Sequence, residues 1–279
     1  AWTEFDQVFA QDPKFKSREL FSRSTDGGET WSDPIKLNTV EGDCLDDDNT
    51  IQGATPTVGP NGEVYLAWSG PEGILFDRSF DGGVTFGDDI FVVDNIGGWG
   101  WGYEVPGIFG NGLPQTYCDI SNSAYRGTVY ILWADQRNGT SNTDIFLIKS
   151  TDHGNSWSEI KQVNDDETDR PQFFPWMTID PTTGVMYIIY YDRRSTLNTL
   201  TEVYCARSTD GGNTFENFLI SDSPFEAQQD KFIGDYINIA ALNGKAYGTW
   251  VRSDQFGRSV IMTIIDDAPS SIDDEVIIS

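Results

Sequence analysis

Four near-copies of one eight-residue phrase run through the chain: STDGGETW from Ser24, SFDGGVTF from Ser79, STDHGNSW from Ser150 and STDGGNTF from Ser208. A short turn-forming phrase repeated at intervals demands a repeated supersecondary unit around it, and no other feature limits the fold as much. In each copy the aspartate (Asp26, Asp81, Asp152, Asp210) is placed to accept N–H groups of its own tight turn, and glycine supplies a positive φ. The leading serine adds a hydroxyl bond, and the closing Trp31, Phe86, Trp157 or Phe215 is expected to tuck between strands. The phrase therefore reads as a hairpin staple rather than as four metal or acid sites.

A second phrase interlocks with the first. GEVYLAW, GTVYILW, GVMYIIY and GKAYGTW begin at Gly62, Gly127, Gly184 and Gly244, 57 to 65 residues apart, and the opening Ala-Trp is the tail of a fifth copy. Each carries β-branched and aromatic residues on both alternating faces, as a strand covered on two sides requires. In the clearest unit MTID, GVMYIIYYD, EVYCARS and TFENFLIS follow one another as a four-strand meander. Such units cannot bury both faces alone and must pack radially, so the expected fold is all-β, a single β-propeller domain of four-stranded antiparallel blades. Five units are visible, at about 1–40, 52–95, 114–165, 172–222 and 232–279. The first lacks its innermost strand and the fifth lacks the eight-residue phrase. Either the ring is five-bladed, its first blade completed by a segment such as the C-terminal DEVIIS, or residues upstream complete a sixth blade.

Composition removes several function classes. With 44 acidic against 18 basic side chains and a net charge of −26, the chain repels nucleic acid and anionic membrane surfaces. Three cysteines and one histidine exclude a zinc cluster and a disulfide-dense scaffold. A Ser-His-Asp triad would have to pass through His153, which belongs to a repeat. No apolar run is long enough to insert as a membrane helix, and no signal peptide is present, which upstream residues would explain.

The eight-residue phrases resemble the Asp-box, or bacterial neuraminidase repeat, of sialidases and related propellers; with the inner strands, the resemblance covers nearly the whole chain. It implies six blades and a site on the face opposite the repeat turns. It also implies three arginines holding a substrate carboxylate, a tyrosine nucleophile activated by glutamate, and an aspartate acid or base. Aligning the inner strands on their last aromatic puts Glu4, Gly70, Asp135, Asp192 and Arg252 in one column, with Asp6, Glu72, Arg137, Arg193, Arg194 and Asp254 just beyond. The candidate catalytic set is thus Asp135, Arg137, Tyr191, Asp192, Arg193 and Arg252, with Glu72, Tyr236 and Arg194 near them by position. The family's Arg-Ile-Pro motif is absent, and no residue matches its nucleophile pair by motif. The alternative is that Asp135 with Arg137, and Asp192 with Arg194, form salt bridges between loops.

Three further stretches carry expectations. The connection from Asp94 to Tyr117 offers Trp99, Trp101 and Tyr103, joined by Trp176, either as a sugar-stacking surface or as an apolar cap. EGDCLDDDNT places Asp46, Asp47 and Asp48 together, either as a structural calcium site or as a solvated acidic loop. Cys44 and Cys118 would form a disulfide in an exported protein, leaving Cys205 a buried free thiol. The functional expectation is a secreted or cell-surface, sialidase-like propeller acting on a glycan or glycoprotein, as an exo-glycosidase releasing a carboxylated sugar. It needs no cofactor beyond that calcium. The alternative is a non-catalytic carbohydrate- or protein-binding adhesion module of a larger surface protein.

Overall fold

The glycine-led, apolar phrases become the most deeply buried strands of a series of antiparallel meanders. The computed structural model describes residues 1–97, 100–101, 105–196, 198–227, 233–254, 257–266 and 272–278. A first sheet runs β1 (Trp2–Phe5), β2 (Ser17–Phe21), β3 (Ile35–Lys36). A second runs β4 (Thr57–Val58), β5 (Val64–Gly70), β6 (Gly73–Ser79), β7 (Ile90–Val93), and is followed by a ribbon of β8 (Gly100–Trp101) and β9 (Phe109–Gly110). The third is β10 (Gln115–Cys118), β11 (Val129–Asp135), β12 (Asp144–Ser150), β13 (Lys161–Gln162). The fourth is β14 (Gln172–Ile179), β15 (Met186–Asp192), β16 (Leu200–Ser208), β17 (Glu216–Leu219), with β18 (Phe225–Glu226) also paired to β16. The fifth is β19 (Asn238–Leu242), β20 (Lys245–Asp254), β21 (Gly257–Asp266), β22 (Ile272–Ile278). Residues 274–278 of DEVIIS therefore fall in the outer strand of the fifth sheet, paired to β21, and do not complete the first.

Each pair of successive sheets traps its own hydrophobic cluster. Phe21, Ile51 and Trp68 fill the space between the first two sheets; Phe76, Ile131 and Trp133 the next; Leu147, Met177 and Ile188 the next; Tyr191, Ile239 and Trp250 the last. Strands β5, β11 and β15 are buried along their whole length because both faces meet a neighbouring sheet. The first strands β4, β10, β14 and β19 pack successively against one another, so the ends of these strands converge. That convergence positions the site.

The two ends of the sheets are chemically different. Val129 pairs with Ser150, so the eight-residue turns and the connections between first and second strands share one rim. The hairpin ends near Asp135 and the connections between sheets form the opposite rim. The cysteine pairing fails on this geometry. Cys118 pairs with Val129 at the turn rim, whereas Cys44 bridges to Ala10 in a connection whose Gly42 pairs with Ser17 at the opposite rim. The seven residues of β11 separate the rims by roughly 20 Å, against the roughly 7 Å between Cα atoms that a disulfide tolerates. All three cysteines are free and buried.

Candidate functional site

The turn rim is chemically self-contained. Asp26 accepts from Ser24 Oγ (2.7 Å), Thr30 N (2.9 Å) and Thr30 Oγ1 (2.5 Å), and Asp152 accepts from Ser150 Oγ (2.7 Å), Ser156 N (2.9 Å) and Ser156 Oγ (2.7 Å). Asp81 and Asp210 are held the same way. The bonds from Thr30 and Ser156 hold Asp26 and Asp152 down at about 2. Phe86 meets Phe21 edge-on at 4.9 Å, and Trp157 meets Phe76 at 5.1 Å, so the closing aromatic of one sheet plugs onto the sheet before it. Trp31, in the first sheet, is instead 65% exposed. His153 takes the place of a glycine at φ 61°, and its Nδ1 meets Tyr65 Oη at 2.6 Å across the sheet interface, a structural contact.

On the opposite rim the arginines are present but committed. Arg137 grips Asp135 through Nε (2.9 Å) and NH2 and donates to the Asp94 carbonyl at 3.0 Å. Asp135, fully buried, also accepts from Trp133 Nε1 at 2.9 Å. Arg194 pairs with Asp192 at 2.8 Å and with Asp165. Arg193 is 1% exposed and donates to Thr201 Oγ1 (3.0 Å), Pro106 O (2.6 Å) and Ala227 O (3.1 Å). Arg252 reaches Asp222 at 2.9 Å. Tyr191 is buried in the core, with its hydroxyl bonded to the Val251 backbone at 3.0 Å. The six residues proposed from sequence therefore hold neighbouring strands and connections together, and none of them lines the crevice between the first strands. Burial raises Asp192 to about 6 even though Arg194 opposes the shift.

A narrow crevice, with room for about one water, does lie where the first strands converge. The second sheet contributes Gly53 and Thr55, the third Asn111, Leu113 and Gln115, the fourth Phe174 and Pro175, the fifth Asp235 and Tyr236. Gly53 sits at φ 89°, and a Cβ there would come within 2.6 Å of Leu113, so glycine lets the two connections close on each other. Gln115 ties the third sheet to the fourth, donating to Pro175 O (2.8 Å) and accepting from Met177 N (3.3 Å). Phe174 holds φ 50° where the β14–β15 register shifts, a bulge that re-aims the strand beside the cleft. Beyond it, Trp176 meets Tyr236 edge-on at 5.8 Å. Asn111 Nδ2 anchors the Asp235 carbonyl at 3.0 Å.

Carboxylates dominate the electrostatics here. Burial raises Asp235 above the usual carboxylate range, and the charge of Asp46 adds to the shift. Tyr236 is pushed up by burial and then by Asp235, Glu19 and Asp46. Glu19 is 1% exposed behind the cleft wall, accepting from Ala54 N (3.2 Å), between the lining Gly53 and Thr55, and from Thr3 Oγ1 (2.9 Å). Burial raises it to about 7. Five residues ahead of their repeat serines, the other sheets carry Ile74, Ile145 and Val203; Glu19 alone breaks that aliphatic position. Matching bonds confirm the equivalence: Leu37 N, Val163 N and Ile220 N donate to the carbonyls of Glu19, Ile145 and Val203 at 2.8–2.9 Å. Comparison at this offset was the available sequence signal for Glu19. None pointed to Asp235, Gln115 or Phe174, which meet only in the fold.

The remaining expected site residues are scattered. Glu72 lies in the exposed β5–β6 turn, beside a separate depression. In the acidic loop, Asp47 accepts from Asn49 N at 3.0 Å and Asp46 from Gln52 Nε2, while the charge of Asp46 also reaches Asp235 and Tyr236. Among the described residues, no group of three or more His, Cys, Asp or Glu is arranged to hold a metal ion. Trp99 and Tyr103 lie outside the described residues, and of Trp101 only its place in β8 is described.

No protein-family model matches the chain, and no curated protein does. Solved structures do. The Penicillium chrysogenum α-L-arabinanase complexed with arabinobiose superposes with a TM-score of 0.55 at 18% identity, over 81% of this chain and 66% of that one. A PL25 ulvan lyase bound to a GlcA(1-4)Rha3S unit gives 0.55 at 10%, over 94% and 61%. A Hadza microbial sialidase gives 0.51 at 13%, over 91% and 54%. The chain thus spans about two thirds or less of these proteins. At such identities the likeness shows the fold alone: a sialidase-like β-propeller, the architecture of glycan-active enzymes.

Proposed function

We propose that the chain is a glycan-acting propeller whose site is the cleft at the converging first strands, where paired carboxylates carry out acid-assisted cleavage of a glycosidic bond. The observation that carries this reading is Asp235, a cleft-lining carboxyl whose proton affinity is raised by burial and by the charge of Asp46. Glycoside hydrolysis uses two carboxyl groups, one giving a proton and the other staying charged. Asp235 is the proton donor, and Asp46, whose charge reaches it, is the second carboxylate. Trp176 and Tyr236 offer ring surfaces for a sugar face. The fold shared with glycan-active enzymes supports the substrate class.

The test is a panel of fluorogenic glycosides and polysaccharides, with wild type against Asp235→Asn and Asp46→Asn. Wild type should turn over at least one substrate, and each variant should lose about a hundredfold or more in kcat/KM while still binding glycan. Retention on a glycan without turnover by wild type would replace the enzyme by a binding module built on Trp176 and Tyr236. Neither turnover nor retention on any glycan would end the reading.

A further inference from the structure

We propose that the flank of the first sheet is a docking surface for a further sheet of this same repeat, one presenting a lysine or arginine just ahead of its turn, and that the fifth sheet is not that partner. A basic residue stands immediately before the serine of all four repeats: Arg23, Arg78, Lys149 and Arg207. Three of them reach the repeat turn of the following sheet. Arg23 donates to Gly82 O at 3.3 Å. Arg78 donates to His153 O and, at 2.7 Å, to Asn155 Oδ1, and Lys149 donates to Gly211 O and Asn213 Oδ1, both at 2.7 Å. Each cation takes the carbonyl one residue past the next repeat's aspartate, and Arg78 and Lys149 also take the side chain two residues further on. Arg207 shows what happens without a receiving turn. The fifth sheet carries no repeat, and Arg207 is left with a buried Nε that has no partner among the described residues and with Glu216 at 4.0 Å.

The first sheet has the receiving turn and lacks the cation. Its Gly27 carbonyl and Glu29 carboxylate stand where Gly211 O and Asn213 Oδ1 stand in the fourth repeat, and among the described residues no cationic side chain meets either. Close by in the same repeat, Trp31 is 65% exposed, without the preceding sheet that Phe86 and Trp157 plug onto. Plug and acceptors are open together. The fifth sheet cannot supply the cation: its Ile264 pairs with Tyr247 at the place where Arg78 pairs with Tyr65, Lys149 with Tyr130 and Arg207 with Tyr187. Lys245, at the same end of that sheet, is ion-paired with Asp266 at 2.9 Å. Closing the fifth sheet on the first would set isoleucine against a carbonyl and a carboxylate, whereas a lysine or arginine there satisfies both. A second copy offers only the same flanks, which would set Glu29 against Ile264 or against another Glu29.

The test reads Trp31 by acrylamide quenching, as the difference between wild type and Trp31→Phe, in the chain as it stands and in a chain extended by a copy of residues 172–248 ahead of Ala1. The copy supplies the fourth sheet with its Arg207 and sets Trp2 in the place of Trp250. In the unextended monomer Trp31 should be quenched much as free indole is, and in the extended chain quenching should fall several-fold. Arg207→Ile within the copy should return a large part of it. Two readings need no extension: Lys149→Met should lower the urea midpoint, and Glu29→Gln should leave it where it is. Trp31 already protected in the unextended monomer would mean that the fifth sheet closes on the first, and protection that comes only with dimerisation on size-exclusion chromatography would make a second copy the occupant; either overturns the proposal. So does quenching unchanged in a folded extended chain, and so does a midpoint unmoved by Lys149→Met or lowered by Glu29→Gln. Protection indifferent to Arg207→Ile overturns the role given to the cation.

Discussion

The two rims are made by the same sheets and put their carboxylates to opposite uses. At the turn rim each aspartate is enclosed by donors from its own eight residues, so its charge is neutralised locally and its proton affinity falls. At the opposite rim Asp192, Asp235 and Glu19 are shielded by neighbouring sheets, and their proton affinities rise. A turn that satisfies itself can be repeated in any sheet. A carboxylate that depends on several sheets at once is specific to its place, which is why the rim with variable sequence holds the candidate chemistry.

The largest effect should come from breaking the brace at the variable rim. Arg193→Met removes three hydrogen bonds from a site 1% exposed and leaves the carbonyls of Pro106 and Ala227 without their donor. A loss of at least ~3 kcal/mol is expected by urea denaturation. A change within ~0.5 kcal/mol, the range of an ordinary surface substitution, would mean the side chain is accessible and available to a ligand.

Next comes the pH dependence set by Glu19. Its carboxyl rises from about 4.5 when exposed to about 7 when folded, so the folded state holds a proton that the unfolded state has released. Stability contributed by that proton is complete below the lower value and is lost as pH rises through the upper one. Glu19→Gln should therefore flatten the wild-type decline between those limits, by on the order of 3 kcal/mol. Parallel melting curves of wild type and variant across that window would show that Glu19 is solvated and plays no part in the cleft's electrostatics.

How much of this was legible follows from the range of each interaction. The repeat turns and the strands around them were readable because the donors of Asp26 or Asp152 lie within four residues of the acceptor. Asp135 with Arg137 and Asp192 with Arg194, two residues apart, were readable as salt bridges for the same reason. Aligning the inner strands marked the rim as charged, but charge does not name its partner. That Arg193 would end on Pro106 and Ala227, 87 and 34 residues away, required the fold. The cleft draws on four sheets, and nothing local distinguishes Asp235 from the chain's other acidic residues.

The smaller effects separate the turns from one another. Trp157→Ala removes an edge-on contact with Phe76 at a sheet interface and should cost about 2 kcal/mol. Phe86→Ala, which loses the corresponding contact with Phe21, should behave alike. Both are read from the shift in denaturation midpoint at unchanged slope.

Trp31→Ala should be the smallest, within ~0.5 kcal/mol. Its turn has the same bonds as the others, from Ser24 and Thr30 to Asp26, so the hairpin itself is intact. What differs is the socket. Phe86 plugs onto the first sheet and Trp157 onto the second, but the first sheet has no predecessor among the described residues to receive Trp31, which stays 65% exposed. The fifth sheet shows a matching open face, with Leu242 54%, Val260 48% and Tyr247 37% exposed. A near-zero cost for Trp31→Ala beside a clear cost for Trp157→Ala would show that plugging energy comes from the preceding sheet and not from the turn. Equal costs would show that in solution Trp31 is covered, and that the flanks of the first and fifth sheets do not stand open.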